Sequence, residues 1–320
     1  MFLDPAVNEI PPKWGDHDCK GPVVYAPHWY DGLTLYNKTF AFFNLNVMSA
    51  VRGESPLKSL RFGDRSIAKG FGEQIAQIKA EGLSNIGRCP CLIGETGIPF
   101  DLDSKESYKT KDYSKQLRAM NASLEAMEST MVSFTLWNYS ADHSEVRGDQ
   151  WNGEDFSIFS QEAADLAVMA RRDKRSREPE PDPTLLAYPL DSPPPAEEEE
   201  EEEMDDDLVF HFRRALALIG GLVALFGGGT ALAALPRPLE RDTGIFPHQS
   251  TGLNEGGRAL PAVVRPYAMK VAGIPRQQVF NLAKKEFTFA FENKTSVPES
   301  DDAATEIFLP SYHFGNSHAK

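Results

Sequence analysis

The sequence predicts an α/β fold followed by a small all-β segment. Three observations predict it. Residues 23–29, 91–94 and 131–139 are rich in β-branched, aromatic and apolar side chains, and two stretches of helical periodicity, 66–80 and 114–130, separate them. That β-α-β-α-β order calls for parallel strands joined by right-handed crossovers. Near the C-terminus, Phe287, Phe289 and Phe291 alternate with Thr288 and Ala290. This is the period-2 signature of a half-buried strand.

The chain opens with Phe2-Leu3, the end of a strand, followed by Pro5, Pro11 and Pro12. Each Pro biases its predecessor to extended backbone. Residues 23–29 (V-V-Y-A-P-H-W) form the first full strand, and alternation puts His28 and Tyr30 at its end on one face. Residues 31–63 read as a long loop. Ile67, Phe71, Ile75 and Ile78 then recur at helical spacing, with Gly82 able to cap the helix.

The short apolar run 91–94 follows, and Gly94 and Gly97 bracket Glu95 just beyond it. A run of this length between Gly and Pro suits a strand covered on both faces. A carboxylate at the C-terminal end of such a strand lies where α/β barrels place their chemistry. Leu117, Met120, Leu124 and Met127 make one stripe of the second helix, and residues 131–139 return as a strand bearing Trp137. The loop 138–159 carries Asp142, His143, Asp149, Trp151, Asn152, Glu154 and Asp155. Its length and the two Trp, Trp137 at its start and Trp151 within it, favour a substrate wall, because indole faces stack on sugar rings. Residues 161–175 read as a helix with a basic end.

Composition bounds the partners. The formal net charge is −14, but residues 178–207 hold 14 acidic side chains and no Lys or Arg. The remainder balances, 33 acidic against 33 basic, so no basic face argues for nucleic acid. Hydrophobic residues make up 41%, enough for a sizeable core. Cys19, Cys89 and Cys91 are odd in number and poorly spaced for a disulfide framework, and a lone C-x-C is a weak zinc signal. No metal or cofactor is expected. No signal peptide is visible, so the sequons at Asn37, Asn121, Asn138 and Asn293 carry little weight.

Residues 177–207 are Pro-rich and then run through seven consecutive Glu, a composition that cannot build a core and is expected to be disordered. The 21 residues 215–235 carry no charge and approach the length that spans a bilayer. Arg213, Arg214, Arg237 and Arg241 flank both sides and leave an orientation open. Beyond residue 256, strands are expected at 279–282, 286–292 and 305–309. A small β-sandwich fits them.

The runs G-E-T-G-I-P-F-D (94–101), L-W-N-Y (136–139), G-D-Q-W-N-G-E-D-F-S-I-F-S (148–160) and G-G-R-A-L-P-A-V-V-R-P-Y (256–267) together carry a resemblance. The chain resembles the fungal endoglycoceramidase-related members of glycoside hydrolase family 5, which include steryl β-glucosidases and glucosylceramidases. The likeness covers residues 1 to about 170 and 253 to 310. It implies the C-terminal part of a (β/α)8 TIM barrel followed by a small all-β sandwich domain. The expected organisation is therefore a partial barrel at 1–176 (about strands five to eight), an acidic Pro-rich linker with the apolar segment at 177–252, and the β-sandwich at 253–320.

By resemblance Glu95 matches the nucleophile, His28 and Tyr30 line the glucose subsite and position it, and Trp137 is the aromatic platform. The implied chemistry is retaining hydrolysis of a glycolipid, steryl glucoside or glucosylceramide, with a second carboxylate about 5–5.5 Å from the first as acid/base. In the family that acid sits in Asn-Glu-Pro at the end of the fourth strand. Here only Asn8-Glu9-Ile10 stands near it, ahead of the strand counted as sixth, and the role is not carried over. The chain is thus expected to be the C-terminal part of a longer enzyme, inactive alone. Two alternatives stay open: a non-catalytic remnant, and a membrane-anchored accessory protein whose working element is 215–235. In the family the two domains pack together, so a membrane-surface or disordered insert is expected there rather than a span. The expected location is the cytoplasm or the surface of an internal membrane, and no protein partner is identifiable.

Overall fold

The computed structural model describes residues 1–5, 9–15, 21–51, 56–165, 169, 256–293 and 304–315. The linker, the apolar segment 215–235 and most of the basic helix expected at 161–175 lie outside these residues. Among the described residues no helix is long and apolar enough to cross a membrane.

The first part is a parallel α/β layer. Strand β1 (Phe2–Leu3) pairs in parallel with β2 (Val24–Tyr25), in register Phe2↔Val24. On its other side β2 meets β5 (Leu92–Thr96) through parallel bridges Tyr25↔Cys91 and His28↔Glu95. Three backbone bonds stitch that seam: Tyr25 N–H to Pro90 O at 2.9 Å, Gly94 N–H to Pro27 O at 2.8 Å and Trp29 N–H to Glu95 O at 3.0 Å. Strand β5 pairs in parallel with β6 (Ser133–Leu136). The order is therefore β1-β2-β5-β6, all parallel.

Two helices cover this layer. Helix α4 (Asp64–Asn85) buries Ile67, Phe71, Ile75 and Ile78, the stripe its sequence spells. Helix α6 (Ser114–Thr130) buries Leu117, Met120, Leu124 and Met127, with the predicted boundaries. Full burial of one such side chain is worth about 1.5–3 kcal/mol. Helix α4 runs on past residue 80 because Gly82 does not stop it. A Cβ at Gly82 would overlap the Tyr25 ring, so this glycine lets the helix lie against β2.

The stretch 31–63 is not a loop. It holds α1 (Gly32–Asn37), β3 (Phe43–Leu45), α2 (Val47–Val51), α3 (Pro56–Ser59) and β4 (Leu60–Phe62), with β3 and β4 antiparallel. Buried Asp31 organises it. Its carboxylate caps the Leu33 N–H at 3.2 Å, and it accepts from Thr34 Oγ1 and from Asn44 Nδ2 at 2.8 Å. Burial raises its pKa against the pull of those bonds. Elements of three to six residues complete fewer than two periods, which hid them in the sequence. A further helix, α5 (Leu102–Thr110), follows β5, and left-handed φ values at Asp103, Ser104 and Lys105 interrupt it.

Among the described residues the C-terminal part is all-β apart from two short helical turns, α7 (Leu260–Val263) and α8 (Ser311–Phe314). Strands β8 (Gly273–Asn281) and β9 (Glu286–Asn293) form an antiparallel hairpin in register Asn281↔Glu286. Strands β7 (Tyr267–Lys270) and β10 (Glu306–Phe308) form a second antiparallel pair. The hairpin begins earlier than residue 279 because a register shift at Pro275 to Gln277 lets the strand pass its proline.

The two parts share one core. Phe280 and Leu282 of the β part cluster with Met120, Leu124 and Met127 of α6. A buried ion pair locks the junction: Arg265 Nε to Glu128 Oε1 at 2.6 Å and Nη2 to Oε2 at 2.9 Å.

Candidate active site

The strand ends of the parallel layer gather the predicted residues. Glu95 is the fourth residue of β5, inside the strand rather than beyond it. His28 lies on the segment leaving β2, bridged to Glu95 through the backbone. Two of the residues spaced by alternation reach the same oxygen: His28 Nδ1 is 3.2 Å from Glu95 Oε2, and the Tyr30 hydroxyl donates to Oε2 at 3.0 Å. Glu95 Oε1 has no hydrogen-bond partner among the described residues. Tyr30 is edge-on to Phe156, ring centroids 5.8 Å apart. Burial, with the charge and hydrogen bond of Glu95, pushes the Tyr30 phenol far above its ordinary value, so it stays a proton donor.

Asp4 completes the cluster, and the sequence reading missed it. It follows β1 directly, and its Oδ2 is 3.2 Å from His28 Nε2. His28 thus sits between two carboxylates, and an imidazole donates to both only when both nitrogens carry protons. The signal was present: Asp4 directly follows a strand, a carboxylate near a C-terminal strand end as Glu95 is.

Trp137 follows β6, and its backbone N–H bonds Thr96 O at 2.8 Å. A Cβ at Gly97 would overlap the Trp137 carbonyl oxygen, so a glycine there permits the two strand ends to close up. The half-buried indole does not contact Glu95 through its polar atom. Its Nε1 donates to Glu154 Oε2 at 2.9 Å.

The loop 138–159 is tightly built. Buried Asp149 accepts from Asn138 Nδ2 at 3.1 Å and from the backbone N–H groups of Phe156 at 2.7 Å and Ser157 at 3.1 Å. Asp155 is buried too. It takes His143 Nε2 at 2.8 Å and Arg258 Nη2 at 2.6 Å on one oxygen and the Tyr108 hydroxyl on the other. Despite its burial, bonds from His143 and the Arg258 charge hold Asp155 down to about 2. His143, Asp149 and Asp155 lie close enough together to suggest a metal centre. Their carboxylate oxygens are already taken by N–H and O–H donors and a guanidinium, so the group is a structural knot. The expected substrate wall therefore narrows: of the polar residues in this loop, His143, Asp149 and Asp155 face inward, and Trp151 is 64% exposed at the tip.

The comparisons with known proteins address what this arrangement belongs to. Residues 265–319 match the glycoside hydrolase family 5 C-terminal domain. The resemblance carried by the motifs is the right one. The chain is 31% identical, over its whole length, to a glucosylceramidase of Rhizopus delemar, and covers 36% of that protein. It is 28% identical over 98% of its length to the ergosteryl-beta-glucosidase of Saccharomyces cerevisiae, covering 38% of it. A crystal structure of Cryptococcus neoformans sterylglucosidase 1 superimposes with a TM-score of 0.68 at 26% identity, over 97% of this chain and 34% of that one. The chain thus has the α/β fold of that enzyme's matching region and spans little more than a third of the relatives' lengths.

Proposed function

We propose that this chain carries the nucleophile of a retaining β-glucosidase for glucosylated lipids. The names of its relatives support that substrate class, steryl glucoside or glucosylceramide. One observation carries the chemistry: Glu95 has one oxygen held by His28 and Tyr30 and the other without a partner among the described residues. Two fixed donors orient the carboxylate, and the open oxygen is the one to attack an anomeric carbon. The displaced oxygen of the aglycone takes a proton from a second carboxyl group, and water then releases glucose from the ester. Trp137 offers a face for the sugar.

We read β1, β2, β5 and β6 as consecutive strands, about five to eight, of a (β/α)8 barrel. Their parallel order, with α4 and α6 as crossovers, supports that reading. The division at 1–176, 177–252 and 253–320 goes with it, the last part being a small β-sandwich built from the two antiparallel pairs. No acid/base residue is assigned. General acid assistance is worth about 10²–10⁴-fold, so the chain alone is expected to turn over β-glucosides poorly or not at all.

The test joins the upstream part of the Rhizopus delemar relative to this chain and assays a fluorogenic β-glucoside. Glu95→Gln is expected to abolish turnover and keep glucoside binding. Near-wild-type kcat in that variant would remove Glu95 from the role. Beside it, the 320-residue chain by itself is assayed against its own Glu95→Gln form. Glu95-dependent turnover there would show that the acid lies within this chain.

A further inference from the structure

We propose that Glu154 is a sugar-hydroxyl acceptor that sets selectivity at the edge of the Trp137 platform. The inference rests on the glucoside reading above and adds a residue to it.

Four observations place the carboxylate. Glu154 Oε2 accepts the Trp137 indole N–H at 2.9 Å, so it lies at the rim of that ring rather than over its face. Its other oxygen has one weak neighbour, Asn152 Nδ2 at 3.3 Å. The Glu154 charge adds a little to the rise of the Tyr30 phenol, so the two side chains are near enough to feel each other. Backbone bonds hold the position: Asp149 N–H to Glu154 O at 2.8 Å and Glu154 N–H to Trp151 O at 2.9 Å. Gly148 makes that turn with φ +61°, and a Cβ there would overlap the Glu154 carbonyl.

An ionised carboxylate offers about four acceptor sites, and two are in use here. A β-glucoside resting on an indole face projects its equatorial hydroxyls outward in the plane of the sugar ring. A half-buried carboxylate at the rim of the indole meets that edge. Hydrogen bonds to a charged acceptor are the strong ones, and leaving such an acceptor unpaired is costly. The residue would therefore reject sugars lacking the matching hydroxyl. The bland alternative is that Glu154 only orients Trp137. In that case every stacked sugar would suffer alike.

The two separate by a double comparison on the 320-residue chain. Trp fluorescence is followed while methyl β-D-glucoside and its singly deoxygenated analogues are titrated up to their solubility. The wild-type chain is expected to lose about 10- to 100-fold in affinity for at least one analogue. In Glu154→Gln that difference should shrink below about three-fold, with the analogue itself bound as well as by wild type. Glu154→Gln keeps an oxygen for the indole N–H, and its thermal transition checks the fold. An equal loss for all sugars, or no change, overturns this inference and leaves the glucoside reading intact. A wild-type chain that binds no glucoside overturns both. Retained binding in Glu95→Gln with selectivity lost only in Glu154→Gln supports both.

Discussion

Two histidine–carboxylate clusters lie among the described residues, and they differ chiefly in solvent. At the strand ends, the side chains of His28, Glu95 and Asp4 are 24%, 30% and 50% exposed. In the knot behind the loop, His143 and Asp155 are 0% and 2% exposed, and the Arg258 side chain is fully buried. In the buried set both Asp155 oxygens are matched, while His143 Nδ1 has no partner among the described residues. Arg258 also donates to Ser157 O, and its guanidinium lies 3.9 Å from the Phe100 ring centroid. The open set leaves Glu95 Oε1 without a partner among the described residues. The same residue types thus serve structure where every carboxylate oxygen is matched and water is excluded, and on the proposed reading serve chemistry where one oxygen is left over. Burial and completeness of pairing, not residue identity, distinguish them.

The largest expected effect breaks the sealed cluster. Arg258→Ala leaves a charged Asp155 in the interior, and removing one partner of a buried pair costs about 3–5 kcal/mol. Denaturant unfolding should show that loss. A change below about 1 kcal/mol would mean the knot is not structural. Arg265→Ala should come next, about 3 kcal/mol, because Glu128 is likewise stranded. Its signature is local: amide exchange should rise in β8 and β9, since Arg265 also donates to the Phe280 carbonyl at 3.2 Å.

Acid gives a third comparison. Asp155 titrates near 2 in the folded protein, below the ordinary carboxylate value of about 3.9. A depressed value means the ionised form is favoured by folding. Its contribution is therefore complete above pH about 4 and is lost as pH falls toward 2, roughly 2 kcal/mol in all. The apolar surroundings of His313 depress its pKa in the same sense, so its share is lost from the ordinary histidine value downward. Stability measured from pH 7 to pH 2 should fall in that order, His313 first. Asp155→Asn should flatten the lower limb. The smallest effect belongs to the open cluster. Glu95→Gln should change stability by less than about 1 kcal/mol, since partly exposed pairs contribute little. A larger loss would move Glu95 from the reactive class to the structural one.

The sequence by itself determined the elements whose pattern repeats: the stripe of α4, the whole of α6, the alternation of β9, and the placing of Glu95 at a strand end beside His28 and Tyr30. Those follow from side-chain periods of 3.6 and 2, which are local properties. It also determined the family resemblance, through four short runs of residues. Strands of three residues, such as β3 and β4, complete fewer than two periods and were not legible, and α5 is interrupted by left-handed φ values at Asp103, Ser104 and Lys105. The tertiary structure alone decided which distant groups meet. Asp4 reaches His28 only because β1 and β2 pair in parallel. Arg258 finds Asp155 from 103 residues away, and Glu154 reaches the rim of the Trp137 indole only once its loop is folded back. Such pairings are set by backbone register and by the exclusion of water, and neither is written in local spacing.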